Sequence, residues 1–156
     1  MRLEHSVRYD APIADVYAML TDPAFREKAT WAQGSISVDV EVDGPSVTID
    51  MAQKLTDIPS FAKPIAGEKT RAVQAEVWHD GQWADFSVES PPMPIGIHGT
   101  RRLVADGDGT LDTFDGEAKA KLPLVGKKIE QLISDRLRDG WDTEHGVGVS
   151  WLAGER

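Results

Sequence analysis

Alternating apolar and polar positions predict a β-strand at the start of the chain and a meander of strands across its middle. Residues 2–9 alternate in this way, as a half-buried strand requires, and the predicted inward face carries Leu3, His5, Val7 and Tyr9. Residues 36–42 and 47–51 alternate on either side of the turn Asp43–Ser46. A register that pairs Val42 with Val47 brings the two apolar faces together, which favours a hairpin.

A helical period replaces this alternation in three places. A short helix is predicted from Ala11-Pro12 to about Leu20, and a second one from Asp22 to about Thr30, with Asp22 as N-cap and Pro23 at the first helical position. A long helix is predicted to start at Pro123, because apolar residues recur every three to four positions up to Leu152. These residues are Val125, Ile129, Leu132, Ile133, Leu137, Trp141, Gly148, Trp151 and Leu152.

Two further hairpins are predicted between these helical segments. The first turns at Asp80-Gly81 and pairs Trp78 with Trp83, which places Glu76 on the outer, polar face. The two tryptophans either staple this hairpin or form an exposed aromatic patch for a partner. Residues 55–66 contain Pro59 and Pro64 and are predicted as a loop or short helix.

The last hairpin turns at Asp106–Gly109 and sets Arg101 opposite Phe114. The same register sets Gly99 opposite Gly116, and Ala118 lies on the same face of these two strands. The face predicted to lie beneath the long helix therefore consists of small residues. Such a face allows either close helix–sheet packing or empty volume, and a sheet wrapped around a helix favours a cavity.

The order of elements is therefore one strand, two short helices, about six strands and a long helix. The motifs Tyr9–Tyr17, Leu20–Phe25 and Gly116–Gly126, followed by Lys128-Ile-Glu130, resemble the START-like or SRPBCC superfamily. Within it, the chain is most similar to an uncharacterised bacterial family of unknown function. The resemblance implies an α+β helix-grip (START/Bet v 1-like) fold over residues 1–156 as a single domain. It has a curved antiparallel sheet of about seven strands around the C-terminal helix.

Composition narrows the possible partners. The net charge of −9 argues against nucleic acid and anionic membranes as partners, because both require a basic surface. No stretch reaches the roughly 20 apolar residues of a membrane span, and no signal peptide is recognised, so we expect a cytoplasmic protein. The absence of cysteine fits a reducing compartment. These features make no prediction of oligomeric state.

The sequence offers few candidate catalytic, metal-binding or ligand-binding residues. Its four histidines lack metal-ligand spacing, and we expect no metal, no cofactor and no catalytic residue. Arg101 is the one inward cation that the predicted pairing produces. It would either bind the acidic end of a ligand through paired N–H donors, or lie near the rim or pair with a nearby aspartate. In the first case, Arg101→Met should weaken binding of acidic ligands and leave stability unchanged or higher.

The superfamily resemblance implies a hydrophobic cavity between the sheet and the last helix. Relatives that range from lipid carriers and hormone receptors to polyketide cyclases share such a cavity. The preferred function is binding or carriage of a hydrophobic small molecule or lipid. The alternatives are an enzyme of the polyketide cyclase or aromatase type and an interaction module with a closed core. The predicted ligand-binding residues are Arg101, Met51, Phe61, Phe86, Met93, Phe114 and Ile133.

Overall fold

The structure, a computed structural model, describes residues 1–54, 58–66 and 69–156. In chain order the elements are β1 (Arg2–Tyr9), α1 (Ile13–Leu20), α2 (Pro23–Ala32), β2 (Ser35–Asp43), β3 (Ser46–Lys54), α3 (Lys63–Ala66), β4 (Lys69–His79), β5 (Trp83–Glu89), β6 (Ile95–Asp106), β7 (Gly109–Ala120) and α4 (Gly126–Leu152). Within the described residues, seven antiparallel strands form one sheet in the order β1-β7-β6-β5-β4-β3-β2. Helix α4 packs against β7, β1 and α2.

The first three elements follow the predicted pattern. In β1, Leu3 and Tyr9 are buried while the intervening charged residues are exposed. Helix α2 begins at Pro23, and the Asp22 side chain accepts a hydrogen bond from the backbone N–H of Ala24 at 2.9 Å. This carboxylate satisfies one of the N–H groups that a helix leaves free at its start. The start of α2 was therefore predictable from its capping residue, whereas α1 has Pro12 at this position and no side-chain cap.

Two hairpins have the predicted register. Strands β2 and β3 pair Val38 with Met51 and Val42 with Val47, and β6 and β7 pair Arg101 with Phe114. One detail of the first hairpin was wrong, because Ile36 is 49% exposed. A bulge between the pairs of Ser35 and Ser37 shifts the alternation at that point and turns this side chain outward.

The register predicted for the β4–β5 hairpin was wrong by one residue. His79 pairs with Trp83 and Trp78 with Ala84, so the turn contains Gln82 in addition to Asp80 and Gly81. A slip of one residue moves every side chain of a strand to the opposite face. Trp78 does not pair with Trp83, and the inward face of β4 is instead formed by Gln74, Glu76 and Trp78.

The long helix begins three residues later than predicted. Leu124 has a left-handed backbone conformation (φ 70°) and is fully exposed, and α4 starts only at Gly126. Its 27 residues give a length of about 40 Å at a rise of about 1.5 Å per residue. Within the part of the chain that the structure describes, no helix is long and apolar enough to span a membrane.

Candidate functional site

Arg101 on β6 is inward-facing and buried, with 2% of its surface exposed. Its Nε and Nη2 atoms donate to the two carboxylate oxygens of Asp112 on β7, at 2.9 and 2.6 Å. Its Nη1 also donates to Glu76 on β4 at 3.2 Å, and its Nη2 to Glu144 on α4 at 2.7 Å. The guanidinium is thus held by three carboxylates from three elements. Its main partner is Asp112, in agreement with the predicted alternative that Arg101 pairs with a nearby aspartate.

Glu76 connects Arg101 to a second buried arginine. Arg26 on α2 donates to both oxygens of Glu76, at 3.0 and 2.8 Å, in the bidentate geometry that suits a guanidinium and a carboxylate. Gln74 Nε2 and Trp78 Nε1 donate to the same carboxylate at 2.7 and 3.1 Å. We refer to Arg26, Glu76, Arg101, Asp112 and Glu144 as the ion-pair network.

The ion-pair network joins the sheet to both α2 and α4. It contains two guanidinium groups and three carboxylates, and burial makes each charge depend on the others. Burial by itself would raise the pKa of Glu76, but the charges of Arg26 and Arg101 outweigh this effect and lower the pKa to about 2. Likewise, the carboxylates of Asp112, Glu144 and Glu76 overcome the effect of burial and raise the pKa of Arg101 well above its ordinary value. Glu76 and Arg101 are therefore held in place as ions.

An apolar cavity of about 170 Å³ lies between the sheet and the first half of α4. Its walls come from β3, β4, β5, β6 and α4 and from the segments around Ile58 and Met93. Leu132, Ile133 and Leu137 of α4 face this cavity, which explains why they are only half-buried. The further apolar lining residues include Met51, Ala62, Ala72, Val88, Ile95, Ile97 and Ile129.

The predicted ligand-binding residues are divided between the cavity and its surroundings. Met51, Met93 and Ile133 line the cavity. Phe86 and Phe114 instead pack edge-to-face on each other, with ring centroids 4.7 Å apart, and on Trp141. Phe61 packs with the apolar cluster of Ile95 and Ile129. Neither these three phenylalanines nor Arg101 is among the described lining residues. For Phe86, Phe114 and Arg101 the reason is that the aromatic cluster and the ion-pair network fill the adjoining part of the interior.

Two polar groups lie where the cavity meets this filled region. Gln74 lines the cavity and also donates to Glu76. Trp141 lines the cavity as well, and its indole Nε1 is buried without a hydrogen-bond partner among the described residues. Within the same described part of the chain, no group of three or more His, Cys, Asp or Glu residues is arranged to hold a metal ion.

Comparison with known protein families gives one match over nearly the whole chain. Residues 4–152 match the family described as "Protein of unknown function (DUF2505)". The chain belongs to the DUF2505 family. No functionally curated protein matches this DUF2505 sequence.

Solved structures with the same fold carry little sequence similarity to this DUF2505 chain. The protein TTHA0849 from Thermus thermophilus has a TM-score of 0.69 at 16% identity, with 99% of each chain covered. A START superfamily protein from Mycobacterium smegmatis has a TM-score of 0.64 at 15% identity, covering 97% of this chain and 98% of that one. The di-domain ARO/CYC protein BexL has a TM-score of 0.66 at 17% identity, covering 96% of this chain and 49% of BexL. The predicted START-like helix-grip fold is therefore confirmed.

Three members of the ion-pair network escaped the sequence analysis. Glu76 was placed outside by the register error in the β4–β5 hairpin. Glu144 lies three residues after Trp141 and four before Gly148, so it falls on the apolar stripe of α4, and Arg26 similarly follows Phe25 on the buried face of α2. Charged residues at such positions are a usable signal, because a buried charge needs a buried partner.

Proposed function

We propose that this chain binds an apolar small molecule in the cavity between the sheet and α4. The observation that carries the proposal is the cavity itself, since its walls are mainly aliphatic side chains. An aliphatic wall gains free energy from contact with an apolar ligand in place of water. A START-like or Bet v 1-like fold accommodates such a cavity where its helix crosses the sheet.

The volume limits the size of the ligand. The cavity of about 170 Å³ is slightly larger than a buried apolar cavity of about 150 Å³ that binds benzene. It is smaller than the roughly 300–1,000 Å³ of pockets for drug-sized ligands. We therefore propose a ligand portion about the size of one substituted ring or a short branched chain.

The predicted alternatives are less well supported. An interaction module with a closed core would leave no volume of this size between sheet and helix. A cyclase or aromatase would need acidic or basic groups at the cavity wall to move protons. The three carboxylates of the ion-pair network are instead engaged with arginines and are not among the described lining residues. No specific contact therefore favours a reaction over binding.

A pair of identical substitutions tests the proposal. Val88 lines the cavity on β5, whereas Val104 on β6 is 48% exposed and is not among the described lining residues. Val88→Phe should fill part of the cavity, and Val104→Phe adds the same atoms on the outer surface. The probe is 4-methylanisole, a single-ring apolar molecule, and its dissociation constant is measured by two-dimensional NMR titration of each protein.

We expect 4-methylanisole to bind the wild type and Val104→Phe equally, with shifts centred on Leu132 and Ile133. Val88→Phe should lower the affinity at least tenfold, because the added ring occupies the space of the probe. Failure of the wild type to bind, or equal affinity for all three proteins, would contradict binding in this cavity.

A further inference from the structure

Gln74 belongs both to the cavity wall and to the surroundings of the ion-pair network. Its side chain projects inward from β4, and 7% of its surface remains exposed. Among the described residues that line the cavity, it has the most deeply buried polar side chain apart from the Trp141 indole. Its amide is therefore the polar group that a ligand deep in this cavity would meet.

Glu76 determines the orientation of the Gln74 side-chain amide. A carboxylate accepts hydrogen bonds and donates none, so Gln74 must present its NH₂ group, and Nε2 lies 2.7 Å from Glu76 Oε2. Glu76 stays ionised because two guanidinium groups lie against it, at 2.8 to 3.2 Å. A rotated amide would set oxygen against oxygen. The ion-pair network thus fixes the orientation of Gln74.

This orientation leaves the amide oxygen as an acceptor. Glu76 engages Nε2, and none of the residues that the structure describes donates a hydrogen bond to Oε1. A ligand that fills the cavity excludes water from this oxygen, so a ligand that supplies a donor gains free energy at this position. An apolar ligand without a donor would instead bury the oxygen unsatisfied.

We propose that Gln74 Oε1 selects apolar ligands that carry a neutral hydrogen-bond donor, such as an alcohol or phenol hydroxyl. This inference rests on the proposed binding of apolar molecules in the cavity and adds the polar feature that such a molecule carries. Arg101, which was predicted to favour an acidic ligand, has its donors engaged by Asp112, Glu76 and Glu144. At Gln74 Oε1 the selected group is a donor rather than an anion, because an amide oxygen accepts hydrogen bonds and carries no positive charge.

The test compares two probes that differ only in the donor. p-Cresol carries a phenol hydroxyl, and 4-methylanisole has the same ring with the hydroxyl proton replaced by a methyl group. Both are titrated by NMR into the wild type, into Gln74→Met and into Thr70→Val. Methionine keeps much of the length of glutamine but has no amide, while Thr70→Val removes a polar group from the same cavity wall and the same strand.

The measured quantity is the ratio of the two dissociation constants in each protein, which cancels general effects on the cavity. We expect Gln74→Met to reduce the preference for p-cresol by about threefold to tenfold, as the loss of one neutral hydrogen bond predicts. Thr70→Val should leave the ratio unchanged. In the wild type, the side-chain amide signals of Gln74 should move more with p-cresol than with 4-methylanisole, and this measurement does not depend on the folding of any variant.

The outcomes separate this inference from the proposed function. If both probes bind in the cavity but the ratio is the same in wild type and Gln74→Met, Gln74 does not select the ligand, while binding of apolar molecules stands. Equal movement of the Gln74 amide signals with both probes would have the same meaning. If neither probe binds the wild type, both the proposed function and the role of Gln74 are overturned.

Discussion

Arg101→Met should destabilise the protein strongly, which reverses the effect expected when the residue was thought to face a ligand. The substitution removes four hydrogen bonds, two to Asp112 and one each to Glu76 and Glu144. Three carboxylates would then share the single charge of Arg26. Removal of one partner from a buried ion pair costs about 3–5 kcal/mol, because the remaining charges stay buried without compensation.

The loss of stability caused by Arg101→Met should be smaller at low pH. In the wild type the pKa of Glu76 is about 2, below the roughly 4.3 of a free glutamate, so this group stabilises the fold above pH 4.3 and the stabilisation is lost as the pH falls toward 2. Without Arg101 the pKa of Glu76 should rise, since only one cation instead of two then opposes the effect of burial. Protonation at pH 4 should therefore relieve part of the penalty in the variant.

Urea denaturation followed by tryptophan fluorescence measures both effects, with Arg71→Met as the matched control. Arg71 also forms two hydrogen bonds to one carboxylate, at 2.9 and 2.6 Å to Asp50, but 56% of its side chain is exposed. A surface pair contributes about 0–1 kcal/mol. Equal losses for the two variants at pH 7, or a penalty for Arg101→Met that grows at pH 4, would refute the account of the ion-pair network.

Two further predictions concern the helices. Asp22→Ala should lower the free energy of unfolding by about 0.5–2 kcal/mol, because it removes the cap on the Ala24 N–H, and an unchanged urea midpoint would contradict this assignment. In α4, Gly146→Ala should raise thermal stability by up to about 1 kcal/mol, since an added methyl meets open space there. Gly148→Ala should lower it, because its methyl would lie 2.7 Å from the buried ring of Tyr9, and a gain in both variants would show that this ring can move.

The sequence was most informative where local chemistry determines the structure. The turn at Asp43–Ser46 and the turn at Asp106–Gly109 give correct registers, because only one pairing superposes the apolar faces of the flanking strands. The cap at Asp22 similarly identifies the start of α2. These features require no knowledge of distant contacts.

The β4–β5 hairpin shows where local patterns fail. Asp80-Gly81 is typical of a two-residue turn, and the resulting register placed the charged Glu76 on the outer face, as hydrophobicity favours. In the structure Asp80 and Gly81 both have positive φ, but the turn contains one more residue, and Gln74 and Glu76 are inside. Burial of Glu76 becomes favourable only through Arg26 and Arg101, which lie 50 and 25 residues away in sequence.

The sequence predicted a cavity between the sheet and α4, but neither its position along the sheet nor its chemistry. The small residues on β6 and β7 do lie beneath α4, yet Gly99 and Gly116 allow close backbone approach rather than empty volume, since a methyl on Gly99 would lie 2.2 Å from the Asp115 carbonyl oxygen. The cavity instead lies toward β3, β4 and β5. The position of the cavity depends on which side chains fill the rest of the interior, and the ion-pair network occupies part of that space.

Native mass spectrometry of the freshly purified protein tests the central claim most directly. The wild type and Val104→Phe should each carry a bound small molecule that is released on mild activation, and Val88→Phe should carry much less of it. Extraction and accurate mass would then identify the ligand and show whether it contains a hydroxyl group. A wild type that carries no adduct and binds neither p-cresol nor 4-methylanisole, or an adduct retained equally by Val88→Phe, would contradict a ligand site between the sheet and α4.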